Sequence, residues 1–175
     1  MAHGSVYMDI KKMERLAETL KTKAVIQVGV FADKTARKSG KMTNAALAQI
    51  HELGSPEHGL PARSMLRIPI HDHAQEIMKP FIGKAEAFLA KGTLLQLYKK
   101  IGVACENVVL GAFTTGGYGK WPSLTYKTLM AKLKGSLAKR KSKIGQMYAG
   151  EIGEGILIRS GALRRAFSSR VRMTY

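Results

Sequence analysis

The sequence predicts a mixed α+β fold: a small antiparallel sheet flanked by several helices, in a single domain over residues 1–175. Three observations lead there. Residues 24–30 alternate with period two, Ala24, Ile26, Val28 and Val30 on one side and Gln27 and Gly29 on the other, as in a half-buried strand. Residues 167–173 alternate again, with Phe167, Ser169, Val171 and Met173 set against Ser168, Arg170 and Arg172. Between these ends the apolar residues recur at helical spacing. Strands at both ends with helices between them require non-local pairing, so the first and last strands are assigned to one antiparallel sheet.

The elements follow in order. Asp9 caps a first helix with Ile10, Met13, Leu16, Ala17 and Leu20 on one face. The strand from Ala24 comes next, then a polar, basic stretch from Asp33 to Lys41 that reads as a mobile loop. Thr43 or Asn44 caps a short helix, and Gly54 suits a left-handed exit. Pro56, Gly59 and Pro61 keep the chain irregular before an extended segment over Ser64–Ile70. Asp72 is read as the cap of a longer helix with a stripe of Ala74, Ile77, Met78, Phe81, Ile82, Ala85, Phe88 and Leu89. Pro80 lies inside that stripe and should kink or divide the helix, because its ring removes a backbone donor.

Thr93 opens a further helix whose inner face is Leu94, Leu97, Tyr98, Ile101, Cys105, Val108 and Val109. Gly111–Gly119 reads as a glycine- and threonine-rich loop, Thr125 to Leu137 as a helix, and Lys139–Lys143 as a solvated basic stretch. Residues 144–156 are punctuated by glycine and take no clear element.

Charge is the outlier in the composition. A chain of 175 residues with 45% apolar and 23% charged residues can bury a core, yet it carries a formal charge of +17. Residues 107–175 hold thirteen Lys and Arg against only Glu151 and Glu154. Such a field attracts polyanions or acidic protein surfaces without saying which. The single Cys105 excludes an intrachain disulfide and suits a buried thiol in a reducing cytoplasm. No apolar run approaches the roughly 18 residues of a membrane span, and MAHGSVYMDIKK lacks a signal-peptide core, so no membrane contact is expected.

No motif assembles a catalytic site, and the expectation is a protein that is not an enzyme and needs no cofactor or metal. His71 and His73 flank Asp72, but a structural zinc site wants four ligands. His51-Glu52 begins a zinc-protease signature that Ser55 breaks, since a second His is required there. Gly116, Gly117 and Gly119 before Lys120 invite a phosphate loop, yet Thr114 stands at the first glycine and Trp121 at the magnesium-binding hydroxyl. Lys132, Lys134, Lys139, Arg140, Lys141 and Lys143 could track phosphates, and a basic nucleic-acid-binding protein without enzymatic activity is the alternative reading. Only Tyr126 and Tyr148 border that stretch, too few aromatics for base stacking.

Three further stretches carry patterned residues: Ile50-His51-Glu52-Leu53-Gly54 with Pro61-Ala62-Arg63 after it, Trp121-Pro122 with Leu124 and Thr128, and Leu157-Ile158 with Ser160-Gly161 and Leu163. Together they resemble the tail-completion, or virion morphogenesis, family of tailed bacteriophages. Ala46, Ala48, Ile50, His51, Glu52, Leu53 and Gly54 resemble its helix ending in I-H-E-F-G, with Leu53 for the Phe; Pro61, Ala62 and Arg63 resemble its P-A-R-P-F, with Ser64 and Met65 for the last two. Trp121, Pro122, Leu124 and Thr128 are similar to W-P-P-L-S-x-x-T, and Leu157, Ile158, Ser160, Gly161 and Leu163 to L-I-x-T-G-x-L-x-x-S. The order agrees over about 25–171, with 139–156 as an apparent insertion before the last stretch.

The resemblance implies a structural virion protein of the phage neck, which completes the tail or joins head to tail as a ring-forming subunit. A hexameric ring is the leading form, since tails are sixfold, and phage DNA passes through it. Its neighbours would be portal or adaptor-side neck proteins and tail-terminator or tail-tube proteins. The particle's head–tail junction is the expected location, after assembly in the host cytoplasm. Candidate interface residues are His51, Glu52, Pro61, Arg63, Trp121, Ser160, Gly161, Arg164 and Arg165. Arg63 could pair with a neighbour's carboxylate and Trp121 could anchor an interface; within one subunit, Arg63 could instead pair with Glu52 and Trp121 could cover the core. Arg159, Arg164, Arg165, Arg170 and Arg172 are expected to face neighbouring subunits, because a dense arginine lining would hold DNA that must slide.

Overall fold

The computed structural model of the chain describes residues 23–36, 42–91, 93–126 and 161–174, with the single positions 14, 128, 130, 131 and 157. Strand β1 (Lys23–Val30) pairs antiparallel with β2 (Phe167–Thr174), in a register that sets Lys23 opposite Thr174 and Val30 opposite Phe167. Six α-helices complete the described fold: α1 (Asn44–Leu53), α2 (Arg67–Asp72), α3 (Ala74–Met78), α4 (Ala85–Ala90), α5 (Leu94–Thr115) and α6 (Ala162–Ala166). The expected α+β class and the pairing of the terminal strands are what the structure has.

The sheet needs a helix because a two-stranded ribbon is marginal alone. α5 supplies it, running about 33 Å at 1.5 Å per residue across the inner face. Leu94, Leu97, Ile101, Cys105, Val109 and Ala112 recur every three or four residues along its buried side. The first half of this stripe forms one core cluster with Ile77 of α3. The second half forms another with Met65, Trp121, Leu163 and Phe167. Gly102 lets β2 lie close, since a Cβ there would come within 3.0 Å of the Ser169 hydroxyl.

α1 begins as expected. The Thr43 hydroxyl accepts from the Ala46 amide at 3.1 Å, and the Asn44 amide group donates to the Lys34 and Ala36 carbonyls. This ties the helix to a 3-10 turn over Ala32–Lys34, which overlaps the start of the stretch read as loop. The exit departs from the expectation. Gly54 has φ 77° and ψ 179°, a region open essentially to glycine alone and not the left-handed helical one. A Cβ there would stand 2.7 Å from the Ala62 amide nitrogen, so the returning loop passes where a side chain would be.

Three further expectations are corrected. Ser64–Ile70 does not extend: Arg67–Asp72 is helical, because a carboxylate from α1 supplies the donors' partners at its start. The stripe after Asp72 is split rather than continuous. α3 ends at Met78, Lys79–Phe81 tighten to a 3-10 turn at Pro80, and α4 starts only at Ala85. Ile82, in the break, is 74% exposed and lies outside the core. Residues 111–115 are not loop but the last turn of α5, where Ala112 and Phe113 are fully buried and the Thr114 and Thr115 hydroxyls donate to the Gly111 carbonyl. Burial of Phe113 outweighs the modest helix propensity of Gly and Thr.

The helix expected from Asp9 and the stretches 132–156 and 158–160 lie outside the described residues, Glu14 excepted, as does most of the helix expected from Thr125. Among the described residues no helix is long and apolar enough to cross a membrane.

Candidate functional site

The three stretches that resemble the tail-completion family meet in space. α1 delivers His51 and Glu52 in its last turn, and Gly54 reverses the chain so that 61–65 runs back beside it. The Arg63 amide donates to the His51 carbonyl at 2.7 Å, closing that return.

Glu52 is the hub. One carboxylate oxygen accepts from the Ser64 hydroxyl at 2.5 Å and the Arg67 amide at 3.0 Å. The other accepts from the Met65 and Leu66 amides at 2.8 and 3.0 Å. Those amides lead into α2, so the carboxylate serves as its N-terminal cap from outside the helix. Ser64 completes the cap by accepting from the Ile68 amide at 3.0 Å. Four donors occupy Glu52, which leaves it poorly placed to act as a general base.

Arg63 is 6% exposed and does not pair with Glu52. Its Nε and one Nη donate to the backbone carbonyls of Pro122 and Ser123 at 3.2 and 3.1 Å, gripping the second stretch. Burial lowers its pKa from the ordinary arginine value. Trp121, 9% exposed, donates its indole N–H to the Ser64 carbonyl at 2.8 Å and meets Phe113 edge-on at 6.0 Å between centroids. Both residues therefore take the intramolecular option. A free apolar anchor and a projecting arginine are not what this chain presents.

The glycine turn before Trp121 has no amides to offer a phosphate. Gly117, Tyr118, Gly119, Lys120 and Trp121 donate theirs to Ala112, the Thr115 hydroxyl, Thr115, Gly117 and Gly116 respectively. Gly117, at φ 67°, lies flat against the indole: a Cβ there would come within 2.2 Å of it. Tyr118 locks the turn by donating its hydroxyl to the Val108 carbonyl, and burial, with Glu76 nearby, raises the phenol's pKa.

The third stretch enters through Leu157, which packs on the cluster of Met65 and Trp121, and Leu163, which is part of it. Gly161, left-handed at φ 67°, is the N-cap of α6; Arg164 is half-buried and Arg165 exposed in that helix's last turn. Ser160 and Arg159 lie outside the described residues. Pro61 is exposed and His51 half-buried. Burial lowers the His51 pKa, and the Arg63 charge lowers it further. Of the terminal arginines, Arg170 is spoken for within the chain: it pairs with Asp33 and lies 4.2 Å over the Phe31 ring.

The histidines around Asp72 form ordinary surface pairs. His71 Nδ1 stands 3.3 Å from Asp72, His73 Nδ1 2.8 Å from Glu76, and Lys120 Nζ 2.6 Å from Asp72. Hydrogen bonds from Lys120 and His71 hold the Asp72 carboxyl below its usual range. Among the described residues no group of three or more His, Cys, Asp or Glu could hold a metal ion. An apolar cleft of about 160 Å³ opens between the end of β1 and α1, walled by Val30, Ala45, Ala48, Met65 and Phe167, with Glu52 at its side.

Ser64, Glu106 and the carbonyls of Pro122 and Ser123 escaped the sequence reading. Only Ser64 carried a signal there, as the polar residue interrupting an apolar segment after Arg63. Compared with known protein families, curated proteins and solved structures, the chain matches none.

Proposed function

We propose that the chain is a structural subunit of a tailed-phage neck, which completes the tail or joins head to tail as part of a ring. The observation that supports this reading is the convergence of the three family-like stretches on one contiguous unit. Glu52 holds the start of α2, Arg63 grips Pro122 and Ser123, and Trp121 shares a core with Leu163. These links join the stretches across 59 and 60 residues for Arg63, and they bury Trp121 and Leu163 in one cluster. Function rests on the surfaces that this pattern orients.

In this reading the stretches are scaffold. His51, Glu52, Arg63 and Trp121 set the loop geometry, while Pro61, Arg164 and Arg165 lie where neighbours can reach them. Portal or adaptor proteins on one side and tail-terminator or tail-tube proteins on the other are the proposed neighbours, with DNA passing through the ring.

The test is joining. Phage particles made without this chain should accumulate filled heads beside separate tails, and adding the purified chain should restore infectivity. The double variant Arg164→Glu/Arg165→Glu should fail to restore it while still folding, with a cooperative thermal transition. Normal joining without the chain would overturn the reading. Duplex binding with a steep salt dependence and no effect on joining would favour the nucleic-acid alternative.

A further inference from the structure

The two edges of the sheet are not equivalent. On the β2 side, the Ser169 amide points away from β1 and donates to the Glu106 carboxylate of α5 at 3.1 Å; the Ser169 hydroxyl donates to the same oxygen at 3.3 Å. An antiparallel ladder turns the amides and carbonyls of facing residues inward and outward in alternation. Ser169 faces Val28, so the outward set on β1 is Ala24, Ile26, Val28 and Val30. No described residue hydrogen-bonds to these outward groups.

Natural edge strands are guarded by charge, proline, bulges or a covering element. The stretch 24–30, AVIQVGV, has no charged residue and no proline, and pairs with β2 without a bulge. Its solvent side is open, with Val25 50% exposed and Gln27 exposed. β2 is guarded: Arg170 and Arg172 stand on that same open side, and Glu106 occupies its edge.

We infer that the β1 edge is a self-association surface, at which two copies pair β1 with β1 antiparallel about a twofold axis to make a four-stranded sheet. The edge itself selects the occupant. The stretch 24–30 is uncharged, so twofold pairing sets it against itself with no like charges directly opposed and with the Lys23 residues at opposite ends, while the +17 of each chain opposes contact elsewhere. Head-to-tail pairing of β1 with the β2 edge of a second copy would have to displace Glu106. With the axis through Gln27, Ile26 exchanges hydrogen bonds with Val28 of the second copy, and the two Gln27 side chains face each other in solvent. The inference stands apart from the neck reading, since a twofold pair is not the head-to-tail contact of a cyclic ring; it describes the free chain.

The experiment is sedimentation of the purified full chain over a range of concentrations, with hydrogen exchange of backbone amides on the same samples. The parent should be a reversible dimer, and the Ile26 and Val28 amides should gain protection as concentration rises. Gln27→Lys puts two like charges directly opposite each other across the axis on a solvent face and should weaken self-association by about tenfold or more, with unchanged circular dichroism. A monomer at concentrations on the order of 100 μM would overturn the inference. So would a dimer indifferent to that lysine, or one in which these amides exchange as freely as in the monomer. The exchange measurement needs no variant, so the test survives a misfolded substitution.

Discussion

Glu52 sits at the end of α1 where the helix dipole disfavours a carboxylate, and it is held there by donors from another element. The interaction with the amides of α2 outweighs the local cost because four hydrogen bonds converge on one charge. Glu52→Gln keeps the shape but turns an NH2 group toward two of the donors. It should cost roughly 2–3 kcal/mol, read as a lower urea midpoint with an unchanged slope. His51, one residue earlier, gives the chain a pH dependence. Burial first, and the Arg63 charge second, place its folded pKa below the ordinary 6.5. As pH falls through 6.5 the unfolded chain takes up a proton that the folded chain refuses, so stability drops until the folded pKa is passed. Above 6.5 the contribution is complete. Unfolding curves between pH 7.5 and pH 5, roughly the histidine range, should show this slope in the parent and a flatter one in His51→Gln.

α5 is the element on which the fold depends, because one helix serves both core clusters and the inner face of the sheet. Cys105 lies midway along its buried side, and burial raises the thiol's pKa. The thiol is therefore protonated at neutral pH and shielded from reagents. Labelling with a thiol-specific disulfide should be slow in the native chain and should follow global opening, accelerating with urea in step with the unfolding of Trp121, the chain's single tryptophan. Rapid native labelling would mean that α5 opens by itself. The break between α3 and α4 shows the opposite case. Pro80 and the turn after it leave Ile82 in solvent, so that stretch lends the core only part of its apolar stripe.

At the scale of the molecule, the described fold is closed by its ends. β1 and β2 are separated by nearly the whole sequence, and Phe167 at the start of β2 is part of the core with Phe113, at 5.8 Å between ring centroids. Loss of β2 would remove that ring and, among the described residues, leave β1 without a strand partner. A chain ended after Ala166 should lack a cooperative thermal transition instead of fraying locally, which calorimetry would reveal. A sharp transition in that truncated chain would show that α5 and the loops around Trp121 are stable without the sheet. The charge of +17 belongs to this scale as well, because it leaves 24–30 as a neutral strip on a strongly basic chain.

The sequence by itself determined the α+β class, both strands and their faces, a helix start at Thr43 or Asn44, an interruption at Pro80 and the burial of Cys105, and the structure then chose Thr43 as the cap and a division at Pro80. Each of these is written in neighbours within a turn or two, where period and capping chemistry act. Only the tertiary structure decided that 67–72 is helical, since the carboxylate that caps it lies 12 to 15 residues upstream of the donors. It alone decided that Arg63 bonds the carbonyls of Pro122 and Ser123 and that Trp121 faces inward, because those partners are 57 to 60 residues away. A local reading saw an arginine behind a proline and a tryptophan on a loop, and both look exposed until the loops are folded onto each other. Backbone carbonyls carry no residue type, so nothing in the sequence could have marked them as the groups that turn a charged side chain into the core.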